Sequence, residues 1–253
     1  EIDRNSTKGV WTDYWLDSIS KNKVFRLQEK GFRCGLYRPF VQSNFYFEYQ
    51  LNTRQYQQTK LFPTPESKNL VICLSGIGSS KGFSVLITDK IPCLDVVEKS
   101  QCFPLYWYEE NKQQSLFVTE SGDYIRHDGI SDWMLKEVRS RVGNKKITKE
   151  MIFYYVYGLL HSPDYRETFA SDLKKSLPRI PIVTDETEWM NFYYAGKMLA
   201  ALHLEYESVE PCEVTICDTY AGEDEYEHYA VHKMHFPKKG EQGTIIYNDY
   251  LRI

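Results

Sequence analysis

Three stretches of this chain hold residue types that could do chemistry. The first is Cys212-x4-Cys217-x10-His228-x3-His232, close to the pairing of two thiols with two imidazoles that holds a zinc ion. A zinc finger needs about 12 residues between its pairs, carrying a hydrophobic pair and most of a helix. Here the intervening residues are Asp-Thr-Tyr-Ala-Gly-Glu-Asp-Glu-Tyr-Glu, acidic and turn-like. Strand alternation explains the spacing equally well: Val214 and Ile216 face one way and Cys217 the other, while His228, Ala230 and His232 share a face away from His235. Two outcomes stay open, a hairpin with half-buried Cys and scattered His, or a zinc-dependent hydrolase or nuclease built on residues 212 to 235.

The second stretch, Gly76-Ile-Gly78-Ser-Ser-Lys81-Gly82, has the glycine content of a phosphate cradle. Lys81 occupies the final Gly position of a dinucleotide fingerprint, and no Gly-Lys-Ser/Thr closes it as a P-loop. A strand-like run, Phe83-Ser-Val-Leu-Ile-Thr, follows it. Without a helix N-terminus the geometry for binding a nucleotide is lost. What remains is a turn between strands whose backbone N–H groups, Ser79, Ser80 and Lys81 could meet phosphates.

The third is a polar run dense in groups that read base edges: Gln42, Asn44, Asn52, Arg54, Gln55, Gln57 and Gln58. Arg, Lys, Asn and Gln donate to and accept from purine edges in the major groove, and Lys, Arg and Ser hold phosphates. On chemistry alone the expected DNA contacts are Arg38, Gln42, Asn44, Asn52, Arg54, Gln55, Gln57, Ser79, Ser80 and Lys81. Solvated polar loops would have a similar composition.

Catalytic signatures are missing. Pro163-Asp164 is followed by no downstream Glu-x-Lys, as a metal-dependent nuclease would need. The chain contains no Pro-Pro to complete an amino-methyltransferase motif and no Gly-x-Ser-x-Gly elbow. Cys102 and the His residues have no local arrangement suggesting a dyad. No catalytic residue, metal site or cofactor is expected in this chain.

The elements that position these groups follow from periodicity. Trp11, Trp15 and Leu16 stand at helical spacing ahead of Lys21, Lys23 and Arg26, which predicts an amphipathic lead-in over residues 1 to 30. Strands are expected at 32–38 and 44–49 around Pro39, at 70–75 and 83–88, and at 102–109, with an exposed loop from 111 to 128. Helices are expected at 132–142, ended by Gly143; from a Thr148 cap; from Ser162-Pro163 to Ser176; and at 186–206. Their aromatic residues, among them Phe153, Tyr154 and Tyr157, repeat at helical spacing and belong to a core. Strands are expected again at 213–217, 229–236 and 244–247. The pattern predicts an α+β fold, mixed or antiparallel strands flanking a central helical segment at about 130–206.

With 253 residues and 42% hydrophobic content the chain can bury a full core. Its net charge is −4, but residues 1 to 70 hold 11 Lys+Arg against 7 Asp+Glu and the remainder 20 against 28, so a polyanion should meet the N-terminal part. The six Cys (34, 73, 93, 102, 212, 217) lie mostly in strand-like runs and are expected to be buried, reduced thiols. No apolar stretch reaches the roughly 18 residues that span a bilayer, and no signal peptide is visible, so a cytoplasmic protein without membrane contact is expected. A chain opening Glu-Ile-Asp without Met is expected to be a fragment.

The strings Tyr37-Arg-Pro-Phe40, Leu70-Val-Ile-Cys-Leu-Ser-Gly-Ile-Gly-Ser-Ser-Lys81, Gln101-Cys-Phe-Pro-Leu-Tyr-Trp-Tyr-Glu109 and Met151-Ile-Phe-Tyr-Tyr-Val-Tyr-Gly-Leu-Leu-His-Ser-Pro-Asp-Tyr-Arg166 closely resemble the C-terminal specificity region of Type ISP restriction-modification enzymes. The resemblance runs from the basic segment before Tyr37 through Thr244-Ile-Ile-Tyr-Asn248. It implies a lead-in (1–30) from a preceding domain and a target-recognition domain (31–253) that selects a duplex DNA sequence. It also implies that an adenine N6-methyltransferase, a helicase-like ATPase and a nuclease precede it in one polypeptide, with the methyltransferase domain as its partner, and that a final helical segment continues past Ile253. A coupling domain that contacts its neighbours and not DNA would fit the acidic balance after residue 70.

Overall fold

Asn69 ties together backbone groups from three separate parts of the chain. In the computed structural model, which describes residues 13–111, 124–231, 233–237 and 243–253, its Oδ1 accepts from the Leu70 and Tyr106 N–H groups (2.8 and 3.0 Å), and its Nδ2 donates to the Leu61 and Tyr106 carbonyls (3.0 and 2.7 Å). Because Asn69 takes both backbone groups of Tyr106, the strand expected over 102–109 breaks at Leu105. Its first part, Gln101–Pro104, and its second, Tyr106–Glu110, pair with different partners.

The chain divides into two compact units, Glu1–Glu207 and Ser208–Ile253. The first begins with α1 (Asp13–Ser20), where Trp15 packs its ring 4.7 Å from Phe25; Trp11 lies outside the described residues. Strands β1 (Phe32–Arg38) and β2 (Val41–Tyr46) form an antiparallel pair around Pro39, the second lying three residues earlier than the expected 44–49. A short helix α2 (Gln58–Leu61) follows, then β3 (Val71–Leu74), β4 (Val85–Thr88), β5 (Ile91–Pro92), β6 (Gln101–Pro104) and β7 (Tyr106–Glu110). The loop expected at 111–128 ends in a strand, β8 (Tyr124–Asp128), antiparallel to β7; residues 112–123 lie outside the described residues.

Among the described residues the strands of this unit form β2-β1-β5, β4-β3-β6 and the pair β7-β8. The central β3 explains why 70–75 is a continuous apolar run. Its alternate residues Ile72 and Leu74 enter the core that the helices build, while Val71 and Cys73 enter a second core with Phe47, Leu61, Phe62 and Ile91. A strand covered on both faces has no polar side.

Side-chain caps start the helices that follow, two of them, Thr148 and Ser162, as expected. Ser131 Oγ accepts from Met134 N–H at α3 (Asp132–Val142), which Gly143 ends in the left-handed region (φ 78°). Thr148 caps α4 (Lys149–His161), and Ser162 with Pro163 opens α5 (Pro163–Thr168). That third helix is shorter than the expected run to Ser176: Phe169 leaves helical geometry at its C-cap, its ring 5.0 Å from Tyr165, and the chain continues in turns. Asp185 caps α6 (Glu186–Leu204), whose Trp189, Gly196 and Ala200 are buried.

Helices and sheet are joined by polar as well as apolar contacts. Tyr157 Oη accepts from the Ile87 N–H of β4 (3.2 Å) and lies at hydrogen-bonding distance, 2.6 Å, from His203 Nδ1 on α6. Beside it, Arg166 donates to the Leu160 carbonyl (2.7 Å) and to His161 Nδ1 (3.3 Å). Burial, first of all, pushes the Tyr157 hydroxyl above its ordinary range and holds His161 at about 4, with Arg166 and His203 adding to the effect on His161.

In the second unit the strands expected at 213–217, 229–236 and 244–247 shrink to β9 (Cys217–Asp218) with β10 (Leu251–Arg252) and bridges of Ile246 with His235 and Arg252. Tyr229 instead ends a short helix, α7 (Glu225–Tyr229). Asp224 starts that helix by accepting from Tyr226 and Glu227 N–H groups (2.9 and 3.3 Å). Cys212 and Cys217 are exposed and Cys34, Cys93 and Cys102 half-buried, so the expectation of buried thiols holds fully for Cys73 alone. No helix among the described residues is long and apolar enough to cross a membrane.

Candidate functional site

A cavity of about 950 Å³ in the first unit is a groove between the β1–β2 pair, the segment 52–61 and the β5 and β6 strands. Phe45, Phe47 and Trp107 supply apolar walls, and the polar run supplies Asn52, Arg54, Gln55 and Gln57. Four of the ten expected contact residues are therefore brought together. The segment that carries them is fastened at several points. Asn52 N–H donates to the Glu48 carbonyl (2.8 Å), Gln55 Nε2 to the Phe47 carbonyl (2.9 Å), and Gln58 Nε2 to the Pro92 carbonyl (3.4 Å). Between these anchors Arg54, Tyr56 and Gln57 are exposed, with Tyr56 in the left-handed region (φ 48°). Among the described residues no ion pair or hydrogen bond engages the Arg54 guanidinium, so its donors are available to a ligand.

The pleat of β2 divides the rest. Ser43 and Phe45 line the groove, which places Gln42 and Asn44 on the opposite face. Gln42 Oε1 there accepts from the Cys34 thiol (3.3 Å), and Asn44 stands across from Cys34 in the ladder. Arg38, at the hairpin tip, lays its guanidinium over the Tyr37 ring at 4.2 Å and donates to the Tyr37 carbonyl (3.0 Å).

Ser79, Ser80 and Lys81 lie on a separate loop, and their donors already hold an anion. The Glu98 carboxylate accepts from Ser79 Oγ (2.7 Å), Ser80 N–H (3.0 Å), Ser80 Oγ (3.0 Å) and Lys81 N–H (3.1 Å). Those bonds, Ser79 foremost, hold the carboxyl at about 2. Glu98 and Lys99 both adopt positive φ (63° and 52°), and Lys99 Nζ donates back to the Gly78 carbonyl (3.1 Å), so the two loops clasp each other. The Lys81 side chain remains exposed.

Sequence reasoning missed Ser43, Lys60, Gln101 and Trp107, which share the groove, and it missed Glu98. Strand alternation could have separated Ser43 from Gln42 and Asn44. No local signal ties Glu98 to a loop nearly twenty positions earlier.

In the second unit, His228 Nε2 lies 2.8 Å from Asp218 Oδ2 and its ring stacks on Tyr220 (4.5 Å, 10°). His232 falls outside the described residues. Among the described residues no three His, Cys, Asp or Glu side chains are arranged to hold a metal ion.

The family model of the Type ISP C-terminal specificity domain matches residues 1–253. No curated protein matches the chain. Among solved structures the chain is similar to the ATP-dependent Type ISP restriction-modification enzyme LlaBIII bound to DNA, at 33% identity with a TM-score of 0.73 over 96% of this chain and 15% of that one. It is similar to DrdV in a cryoEM DrdV–DNA complex, at 32% identity with a TM-score of 0.77 over 95% and 23%. A nuclease-deletion mutant of the Type ISP enzyme LlaGI in complex with a DNA substrate mimic matches at 29% identity with a TM-score of 0.67 over 96% and 20%. The chain thus spans less than a quarter of the length of each of these proteins. The agreement of sequence strings, α+β architecture and whole-length match establishes that this chain belongs to the Type ISP C-terminal specificity domain family.

Proposed function

We propose that this chain selects the target sequence for a single-polypeptide restriction-modification enzyme, binding duplex DNA without altering it chemically. The observation that carries this reading is the similarity, over nearly the whole chain, to structures that were solved with DNA. The local chemistry agrees with it. Arg54, Gln57 and Asn52 on a fastened, exposed segment offer the fork and amide groups that read purine edges, and Lys81 offers a point charge to a phosphate. Gln55, committed to the Phe47 carbonyl, serves as an anchor of that segment, and Ser79 and Ser80 shape the loop that carries Lys81.

Methylation, ATP hydrolysis and cleavage belong, in this reading, to other parts of the polypeptide, with the methyltransferase domain gripping the same DNA. The chain needs no cofactor for its own part and acts in the cytoplasm. Exchanging this region for a relative's in the intact enzyme tests the assignment: the methylated sequence should become the relative's. Retention of the original target by the hybrid would refute it.

A further inference from the structure

The β3–β6 ladder sets Cys73 directly opposite Cys102. The Leu105 N–H donates to the Leu70 carbonyl at 2.7 Å, so along the same ladder Leu70/Leu105 and Ile72/Phe103 are pairs of the hydrogen-bonded kind. Val71/Pro104 and Cys73/Cys102 are then the alternating non-hydrogen-bonded pairs, and Pro104, which has no N–H to give, suits only that place. Residues so opposed have Cα atoms about 4.5 Å apart, within the span of a disulfide.

The surroundings of the two thiols differ in a way that orders a reaction. Cys73 is fully buried and its thiol is hydrogen-bonded to that of Cys102. Cys102 is half-buried, lines the 950 Å³ groove and has the Gln58 amide nitrogen 4.0 Å from its sulfur. The hydrogen bond between the two thiols pulls that of Cys102 below its ordinary range, while the same bond and burial raise that of Cys73.

We propose that Cys73 and Cys102 form a cross-strand disulfide when the protein meets a small-molecule disulfide, Cys102 attacking first from the groove and Cys73 resolving. The Cys102 thiolate attacks one sulfur of the oxidant, forming a mixed disulfide and releasing one thiolate. Cys73 gives up its proton and attacks Cys102 Sγ, releasing the second. Two protein thiols are oxidised to one disulfide and the oxidant is reduced to two thiols. The bond draws Cys102 Sγ away from the Gln58 amide and so loosens one wall of the groove. This inference is independent of what the groove binds.

The test incubates the fully reduced chain with oxidised glutathione and maps its peptides by mass spectrometry without reduction. The expected result is a peptide containing Cys73 joined to one containing Cys102, with the bridge removing two hydrogens, about 2 Da. Cys73→Ala should stop the reaction at a glutathione adduct on Cys102, and Cys102→Ala should leave Cys73 unmodified. The wild-type map needs neither variant to fold. Absence of the joined peptide once the exposed Cys212 and Cys217 have reacted would overturn the proposal, as would glutathione on Cys73 in the Cys102→Ala chain.

Discussion

Gly158 of α4 and Gly196 of α6 stand against each other where the two helices cross. A β-carbon at Gly158 would be driven into the Phe192 carbonyl oxygen and to 2.9 Å from the Gly196 nitrogen; one at Gly196 would meet the Tyr154 carbonyl oxygen and lie 2.7 Å from the Gly158 nitrogen. The close approach lets Tyr155 of α4 stack on Trp189 of α6 at 4.9 Å and 7°. Alanine is the better helix former by about 1 kcal/mol, so an isolated helix would gain from either substitution. Here overpacking should win: Gly158→Ala or Gly196→Ala should cost about 2–3 kcal/mol in denaturant unfolding. An alanine variant as stable as the parent would show that the helices can separate freely.

Arg54→Ala should weaken DNA binding unevenly, with a change in preference among duplex sequences of about 1–3 kcal/mol, because an arginine fork distinguishes base edges. Lys81→Ala should weaken binding alike on all sequences and reduce the salt slope by about 1, because a phosphate contact carries no sequence information. Competition binding across several duplexes and salt concentrations separates the two. Equal losses on every sequence for both variants would reject this division of roles.

Glu98→Gln should free the Ser79–Lys81 loop, since an amide cannot accept from all four donors as the carboxylate does. Hydrogen exchange at the Ser80 and Lys81 amides reads this directly and should accelerate. The clasp also has a pH signature. With its folded value at about 2 against an ordinary 4.5, Glu98 binds its proton later in the folded chain than in the unfolded one. Its contribution is therefore complete above about pH 4.5 and fades as the pH falls through about 2. Unchanged protection of both amides in the variant would remove Glu98 from this role.

His161 and His203 should make the fold acid-sensitive in a higher window. His161 is held at about 4 against an ordinary 6.5, chiefly by burial, and His203 is lowered for the same reason. The unfolded chain takes up these protons first, so stability is whole above about pH 6.5 and declines towards pH 4. After allowance for solvent screening the loss from His161 is on the order of 2 kcal/mol. Tyr157→Phe should cost about 1–3 kcal/mol, because it removes the acceptor for the buried Ile87 N–H. Denaturation midpoints at pH 7 and pH 5 should differ; identical midpoints would contradict the buried neutral pair.

Much of the fold was legible because the signals were local. Thr148 and Ser162-Pro163 each announce a helix start that the structure keeps, since a cap satisfies backbone donors within three residues of itself. The apolar runs at 70–75 and 83–88 pair as expected. The split at Leu105 was hidden because its cause, the Asn69 amide, acts from 37 positions away in the chain. Alternation in the tail suggested strands, while the Asp224 cap starts α7, whose last residue is Tyr229.

For the site, composition by itself marked the segment 42–60 as dense in base-reading groups, because residue type is a property of the chain before it folds. Only the tertiary structure decided which of those groups act together. The pleat of β2 turns Ser43 into the groove and Gln42 and Asn44 away from it, and backbone anchors commit Gln55 while leaving Arg54 exposed. A carboxylate remote in sequence fills the donors of Ser79, Ser80 and Lys81. Which donors are left for a ligand depends on which are already satisfied inside the fold, and that depends on contacts between residues far apart in the chain.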